Sequence, residues 1–258
     1  MHKTIKNLLD LTTANWKDVK ETDYDVVILP WGAIEPHNYH LPYATDCYLS
    51  FHVALDSAVA AYEKSGTLSA VLPPVFLGSQ NPGQWTLPLC IHTSSETQKA
   101  ILNDIVNSLY IQGFRKLVVV NGHGGNNFKP YIRDLAFKYP DFIIVALNWY
   151  EIVPTDNYFE EKPDEHGGEQ ETSALMYFRP DLVQLEQAGD GVVKPVSIEA
   201  LNRKIGWAPR NWQEVSTDTG IGNPHRSTAE KGEKYISEVV DKISDLLADL
   251  RNFNPTDK

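Results

Sequence analysis

The sequence has little cysteine, no long apolar run and a shortage of basic residues. Cys47 and Cys90 are its only cysteines among 258 residues, which excludes a disulfide scaffold and a zinc site made of four thiolates. No stretch approaches the roughly 18 apolar residues that a membrane helix needs, and the N-terminus lacks the apolar core of a secretory signal. These absences predict a cytoplasmic protein with no membrane partner.

Acidic residues outnumber basic ones by 34 to 23, which gives a net charge of −11. Proteins that bind nucleic acid present a basic face to the phosphates, so nucleic acid is not an expected partner. Anionic membrane surfaces are disfavoured for the same reason. A small-molecule substrate remains open, because the charge inside a pocket can differ from that of the whole chain.

Apolar runs and helical patterns alternate over the first 150 residues. Strands are predicted where short apolar runs are bounded by turn residues, at 25–31, 70–77, 116–120 and 142–148. Helices are predicted from apolar spacing and from capping residues, at 45–64, 94–113 and 127–138. This alternation predicts an α/β fold with a mainly parallel sheet and right-handed crossovers.

The rest of the chain is less regular. A loop is expected over 151–165, a helix from residue 167 or 168 to Phe178, and irregular structure over 181–227. A long amphipathic helix is predicted over 229–251. Neither an internal repeat nor a long linker divides the chain, so we expect one domain over residues 1–258.

The first group of polar residues follows the first predicted strand. Glu35 and His37 are two residues apart and enclose Pro36, so in extended backbone they project to the same side. A carboxylate and an imidazole on one side are the beginning of a metal site. Asp46 stands at the start of a predicted helix, where it either caps the helix or binds the metal.

The second group is Asn121-Gly-His123-Gly-Gly-Asn126-Asn127, directly after the strand KLVVV. Glycines beside a histidine let the backbone turn sharply and approach a ligand closely, so His123 is a candidate metal ligand. The alternatives are a turn held by its asparagines or a phosphate cradle. The Walker pattern and its lysine are missing, which disfavours phosphate.

The third group contains His166, Glu169 and Glu171. His166 and Glu169 are three residues apart and would share a face of a helix, which suits one proton carrier and one metal ligand. The alternative is an acidic first turn, in which Glu169 and Glu171 offset the helix dipole.

Together these residues resemble the creatininase (creatinine amidohydrolase) family. The resemblance rests on G-A-I-E-P-H-N-Y-H-L-P-Y-A-T-D, V-V-V-N-G-H-G-G-N, H-G-G-E-Q-E-T-S, and T-G-I-G-N-P followed by S-T-A-E-K-G, in that order from residue 31 to residue 232. It implies a three-layer α/β/α sandwich with a mainly parallel sheet. It also implies a homo-oligomer, since members commonly form hexamers.

The resemblance assigns roles residue by residue. Glu35, His37, Asp46 and His123 fall on ligand positions for one or two divalent ions (Zn, Mn or Fe), with Asp46 as the bridge. His166 falls on the position of a proton-transferring histidine.

The sequence departs from creatininase at one ligand position. Creatininase carries a glutamate two residues after the histidine of the second motif, where this chain has Gly125. We predict that Glu169 supplies the missing carboxylate, both as a ligand and in catalysis. The departure also argues against creatinine itself as the substrate.

The expected function is therefore a metal-dependent amidohydrolase that acts on a cyclic amide or a formamide through an activated water. Two alternatives are ring opening of a cyclic diketone on the same metal site, and a member that binds small molecules without catalysis. The predicted substrate-binding residues are Gly124, Gly125, Trp149, Gln80 and Trp85.

Overall fold

A four-stranded parallel sheet forms the middle layer of the fold. The computed structural model describes residues 5–255, and its strands are β1 (Val26–Trp31), β2 (Ser69–Val71), β3 (Lys116–Asn121) and β4 (Ile143–Asn148). All neighbouring strands are parallel, in the order β2-β1-β3-β4. The predicted parallel sheet is confirmed.

Among residues 5–255, the five longest helices lie close to their predicted ranges, and four helices of four or five residues were not predicted. The helices are α1 (Ile5–Leu9), α2 (Trp16–Lys20), α3 (Thr45–Ser65), α4 (Ser95–Ile111), α5 (Lys129–Lys138), α6 (Glu169–Phe178), α7 (Glu199–Asn202), α8 (Trp212–Val215) and α9 (Ala229–Asn252). Within the part of the chain that the structure describes, no helix is both long and apolar enough to cross a membrane.

Both faces of the sheet are apolar, because successive residues of a strand point to opposite sides. Val26 and Ile28 of β1 belong to a core that contains α3, α6 and α9. Val27 and Leu29 belong to a second core, formed with α4 and α5. The sheet therefore lies between two helical layers, which confirms the expected α/β/α sandwich.

The second strand is shorter than predicted. β2 ends at Val71, and Pro73 and Pro74 follow one residue later. Proline has no amide hydrogen to donate to a ladder, so the chain regains only an isolated bridge between Val75 and Trp31.

The strand order places a crevice at one edge of the sheet. From β1 the chain passes through α3 to β2 on one side, and later enters β3 on the other side of β1. Loops diverge where the order reverses in this way, and ligands bind outside the carboxyl ends of the strands at such a point. The first two groups of candidate residues follow β1 and β3, the two strands that flank it.

Candidate metal centre

The loop after β1 holds Glu35 and His37 in the interior, with exposed fractions of 1% and 0%. His37 Nδ1 lies 3.0 Å from the Glu35 carbonyl oxygen and donates to it, since a carbonyl can only accept. His37 Nε2 faces Asp46 Oδ1 at 2.8 Å. Gln84, from the loop after β2, donates to Glu35 Oε2 at 2.5 Å, so both side chains are fixed from outside the site.

Two glycines bring the first turn of α3 between the ends of β1 and β3. A Cβ at Gly32 would lie 2.6 Å from the backbone nitrogen of Cys47, and one at Gly122 would collide with the Asp46 carbonyl oxygen. Asp46 therefore enters the crevice instead of capping the helix, whose N-cap is Ala44 without a side-chain hydrogen bond. Its carboxylate is 1% exposed.

The turn after β3 supplies His123. Its Nε2 lies 2.8 Å from the Ser79 carbonyl oxygen and donates to it. Nδ1 faces the site, 2.8 Å from Glu35 Oε1 and 3.2 Å from Asp46 Oδ2. Asn121 holds the turn, since its side chain accepts from the His123 amide and donates to the His123 carbonyl.

In the third group, the carboxylate that reaches the site is Glu171, whereas Glu169 was predicted. Glu171 Oε2 accepts from the Gly167 amide at 2.6 Å and lies 4.0 Å from His37 Nε2. His166 stacks on His37 with ring centroids 4.2 Å apart. Its Nε2 donates to the Pro36 carbonyl at 2.9 Å, while Nδ1 lies 3.7 Å from Glu35 Oε1.

Glu169 does not reach the site, so its assignment as a ligand and catalytic group needs correction. Its carboxylate is fully buried and is bonded elsewhere on both oxygens. Lys231 of α9 donates to Oε1, and the amides of Glu160 and Glu161 donate to Oε2 at 2.7 and 2.9 Å. Glu169 therefore anchors the preceding loop to α9, and Glu171 is the carboxylate beside the histidines.

The ligand atoms converge in three overlapping groups among residues 5–255, within each of which they lie no more than 4.8 Å apart. We call Glu35, His37, Asp46, His123 and Glu171 the ligand cluster. One group is Glu35, Asp46 and His123, and another is His37, Asp46 and Glu171. The third joins His166 to Glu35 and His37. Asp46 belongs to both groups that contain a second carboxylate, as a bridging ligand would.

The charges of the ligand cluster strongly affect one another's pKa values. Burial by itself would lower the pKa of His37. The charge and hydrogen bond of Asp46 outweigh this effect and raise the pKa to about 10. Burial also lowers the pKa of His123, and Glu35 and Asp46 more than reverse this. For Asp46, burial raises the carboxyl pKa and the two histidines lower it to a net value below its ordinary one. Protonated imidazoles thus supply positive charge among the carboxylates.

The residues fit a divalent cation. Asp46 Oδ2 is buried and makes no hydrogen bond, although His123 is near it. Each histidine of the cluster bonds one nitrogen to a backbone carbonyl and turns the other inward. That outer bond is the usual support of a metal-ligating histidine. Mixed carboxylate and imidazole donors suit Zn, Mn or Fe.

A cavity of about 920 Å³ opens over the cluster. Gly124, Gly125, Gln80 and Trp85 line it, as expected of substrate-binding residues. Trp149 does not line it, because this ring is fully buried in the core and packs against Tyr235. The neighbouring Tyr150 lines the cavity instead.

Sequence reasoning missed Glu171 as a member of the ligand cluster. Glu171 had a signal, since it lies in the third family motif and was considered only for the helix dipole. The hydrogen bond from Gln84 to Glu35 had no signal in the sequence, because only the fold brings the loop after β2 to the loop after β1.

Comparisons with known proteins agree with this geometry. The family described as creatininase, creatinine amidohydrolase, matches residues 12–247. A Bacteroides fragilis NCTC 9343 protein, provisionally assigned as a creatinine amidohydrolase, has a similar crystal structure with a TM-score of 0.95. It is 52% identical, over 96% of this chain and 98% of that one.

More distant relatives differ in their named activities. A Pseudomonas putida creatinine amidohydrolase is 27% identical over 90% of this chain and 91% of its own. A Thermotoga maritima 3-dehydro-scyllo-inosose hydrolase is 26% identical over 95% and 85%. A solved creatininase variant of Zn–Zn type has a TM-score of 0.73 and 25% identity, over 96% of this chain and 98% of that one. Because the family match spans nearly the whole sequence, this chain belongs to the creatininase family.

Proposed function

We propose that this protein is a metal-dependent amidohydrolase that opens a cyclic amide or cleaves a formamide. One observation carries the proposal. Three carboxylates and two histidines converge at the switch point of the sheet, and the shared Asp46 keeps one buried oxygen without a hydrogen bond. That oxygen lies 3.2 Å from Nδ1 of the protonated His123, and a divalent ion would pair with it in place of that proton.

The cluster offers places for two ions. Glu35, Asp46 and His123 would hold one ion, and His37, Asp46 and Glu171 a second, with Asp46 between them. A divalent ion held there supplies an activated water at neutral pH and polarises the substrate carbonyl.

A side chain above the cluster would transfer the proton to the leaving nitrogen. Water adds to the amide carbon, the C–N bond breaks, and the nitrogen leaves with a proton. His166 is placed for that transfer, because its Nε2 is fixed on Pro36 while Nδ1 faces the cluster. Trp212 packs edge-on against the His166 ring, with centroids 5.3 Å apart, and helps to fix its position.

The cavity wall favours an uncharged polar substrate. Beyond the cluster its charged residues are Glu151, Asp164, Glu165 and Arg210. Arg210 already donates to Glu165 at 2.8 Å, so the described residues that line the cavity offer no unpaired lysine or arginine to a phosphate or a carboxylate. The other lining residues are largely amides and aromatic rings, which bind neutral rings by hydrogen bonding and stacking.

Ring opening of a cyclic diketone is the second candidate. It is favoured by the similarity to a 3-dehydro-scyllo-inosose hydrolase and by the same amide-rich wall, which suits hydroxyl groups. The products separate the candidates. Amide hydrolysis releases an amine or ammonia together with a carboxylate, whereas cleavage of a diketone releases a carboxylate and no nitrogen.

The first test is metal content by plasma mass spectrometry after loading with Zn, Mn or Fe and removing the excess. We expect about one or two equivalents of metal in the native protein and the loss of all bound metal in Asp46→Asn. Asp141→Asn is the matched control, because Asp141 pairs with Arg115 near the opposite edge of the sheet and should leave the metal unchanged. Absence of metal from the native protein would favour a non-catalytic member.

The second test is a screen of lactams and formamides with the loaded protein. Turnover should disappear with a chelator and return with the metal. We also propose a homo-oligomer, on the basis of the family resemblance, to be checked by light scattering during size-exclusion chromatography.

A further inference from the structure

Tyr150 lies beside the turn that carries His123. It follows β4 by two residues, and its backbone carbonyl accepts from Gln170 of α6 at 3.0 Å and from Tyr235 of α9 at 3.1 Å. These bonds fix the backbone from which the ring enters the cavity. The hydroxyl oxygen lies 3.8 Å from the position that a Cβ of Gly124 would occupy, and apart from Gly124 and its two chain neighbours no other described residue comes within 4 Å of that position.

The hydroxyl is available to a ligand. It has no hydrogen-bond partner among residues 5–255, although the Tyr150 side chain is largely enclosed and lines the cavity. Burial raises the pKa of this phenol above its ordinary value, and the charges of Glu151 and Asp46 raise it further. The group therefore stays protonated at neutral pH and can act only as a neutral donor or acceptor.

Three other side-chain donors beside the cluster already have a partner. Gln84 donates its amide hydrogen to Glu35. Asn126 donates to Asn121 and to the Gly32 carbonyl. His166 donates through Nε2 to a backbone carbonyl. Two donors on the cavity wall have no hydrogen-bond partner among the described residues, the Tyr150 hydroxyl and Gln80 Nε2. Of these, the Tyr150 hydroxyl lies beside Gly124, the residue that follows His123.

We propose that Tyr150 donates a hydrogen bond to the carbonyl oxygen of the substrate, and that this bond strengthens as the oxygen becomes negative during attack by water. This inference rests on the proposed amidohydrolase function. A preformed donor aimed at the developing charge lowers the barrier more than it tightens substrate binding. Tyr150 is then a catalytic residue.

The test uses the zinc-loaded full chain and acetohydroxamic acid, which presents a carbonyl oxygen and an anionic oxygen to a metal. Its affinity is measured by calorimetry for the native protein, Tyr150→Phe and Tyr131→Phe. Tyr131 is a buried tyrosine of α5 and packs in the core that α5 forms with α4. Tyr131→Phe therefore removes a matched hydroxyl outside the cavity. We expect Tyr150→Phe to bind the probe about tenfold more weakly, with an unchanged zinc content and melting temperature.

Two further readouts separate the possible failures. Equal probe affinity in Tyr150→Phe and the native protein, with zinc present in both, overturns the role of Tyr150 and leaves the metal site intact. Absence of zinc from the native protein overturns the proposed function, and this inference with it. On a compound that the amide screen identifies, kcat should fall about a hundredfold in Tyr150→Phe with little change in KM. A raised KM with unchanged kcat would contradict the proposed role.

Discussion

Glu169 and Glu171 stand two residues apart and should respond in opposite ways to the same substitution. In Glu171→Gln the carboxylate facing His37 is lost, while the amide oxygen can still accept from Gly167. In Glu169→Gln the charge that pairs with Lys231 is lost, and the ligand cluster is untouched. The pair therefore separates a metal ligand from a structural anchor by one chemical change.

The expected magnitude for Glu169 follows from its surroundings. Breaking a fully buried ion pair costs about 3–5 kcal/mol. Lys231 is 26% exposed and can turn to water, so we expect the lower end, about 3 kcal/mol. For a domain of this size that corresponds to a melting temperature lower by roughly 6–12 °C. Glu169→Gln should keep its full metal content despite this loss.

The expected result for Glu171 is the reverse. Its substitution should leave the melting temperature of the metal-free protein within a few degrees and remove at least one metal equivalent, because one cluster group loses a charged ligand. Calorimetric unfolding of metal-free samples and plasma mass spectrometry of loaded samples measure the two effects. The assignment is refuted if Glu169→Gln loses metal at an unchanged melting temperature while Glu171→Gln retains it.

Three further predictions concern the walls of the site. His166→Asn should lower kcat about a hundredfold or more with the zinc content retained, and unchanged turnover would exclude proton transfer by His166. Burial raises the pKa of Asp164 from 3.8 to about 7, so its contribution to stability is complete below pH 4 and is lost as the pH rises through 7. In Asp164→Asn the amide oxygen can still accept from Gln170. Urea unfolding should therefore show this variant to be more stable than the native protein above pH 7, by on the order of 4 kcal/mol. Near pH 4 the two proteins should have similar stability. Gly125→Glu should weaken zinc binding instead of adding a ligand, because its Cβ would collide with the Ser79 carbonyl and displace His123; tighter binding by titration calorimetry would show otherwise.

The sheet was predictable because its strands are apolar on both faces. The runs that became β1 and β3 contain almost no polar residue, as expected of strands covered by helices on both sides. Their order in the sheet follows from no local pattern, yet it is what brings the loops after β1 and β3 together. The first two groups of ligands could therefore be named from the sequence, whereas their distances could not.

The wrong carboxylate was chosen because of where α6 begins. The spacing of three between His166 and Glu169 places two residues on one face only if both are helical. Gly167 has a φ of +57° and Gly168 is extended, so the helix starts at Glu169. His166 therefore stands before the helix, and the side chain that faces it is set by the turn at Gly167 instead of by helical spacing.

The choice between two adjacent aromatic residues could not be made from the sequence either. Trp149 and Tyr150 occupy a 3₁₀ turn after β4, and neighbouring residues of a turn point in different directions. The larger and more apolar ring packs in the core, and the ring with a hydroxyl faces the cavity. Only the position of α9, whose Tyr235 packs against the Trp149 ring, determines which of the two is covered.

The outer contacts of the ligand cluster show that groups of the protein itself orient the ligands. Gln84 holds Glu35, Gly167 holds Glu171, and a backbone carbonyl orients each histidine of the cluster. Each of these contacts joins two groups of the protein itself, and the raised pKa values of His37 and His123 let protonated imidazoles pair with the carboxylates. A structural zinc site differs, because its ligands are gathered by the metal and the domain unfolds without it. Binding here exchanges protons on the imidazoles for a metal ion, so the affinity of the site should depend on pH far more than the stability of the fold depends on metal.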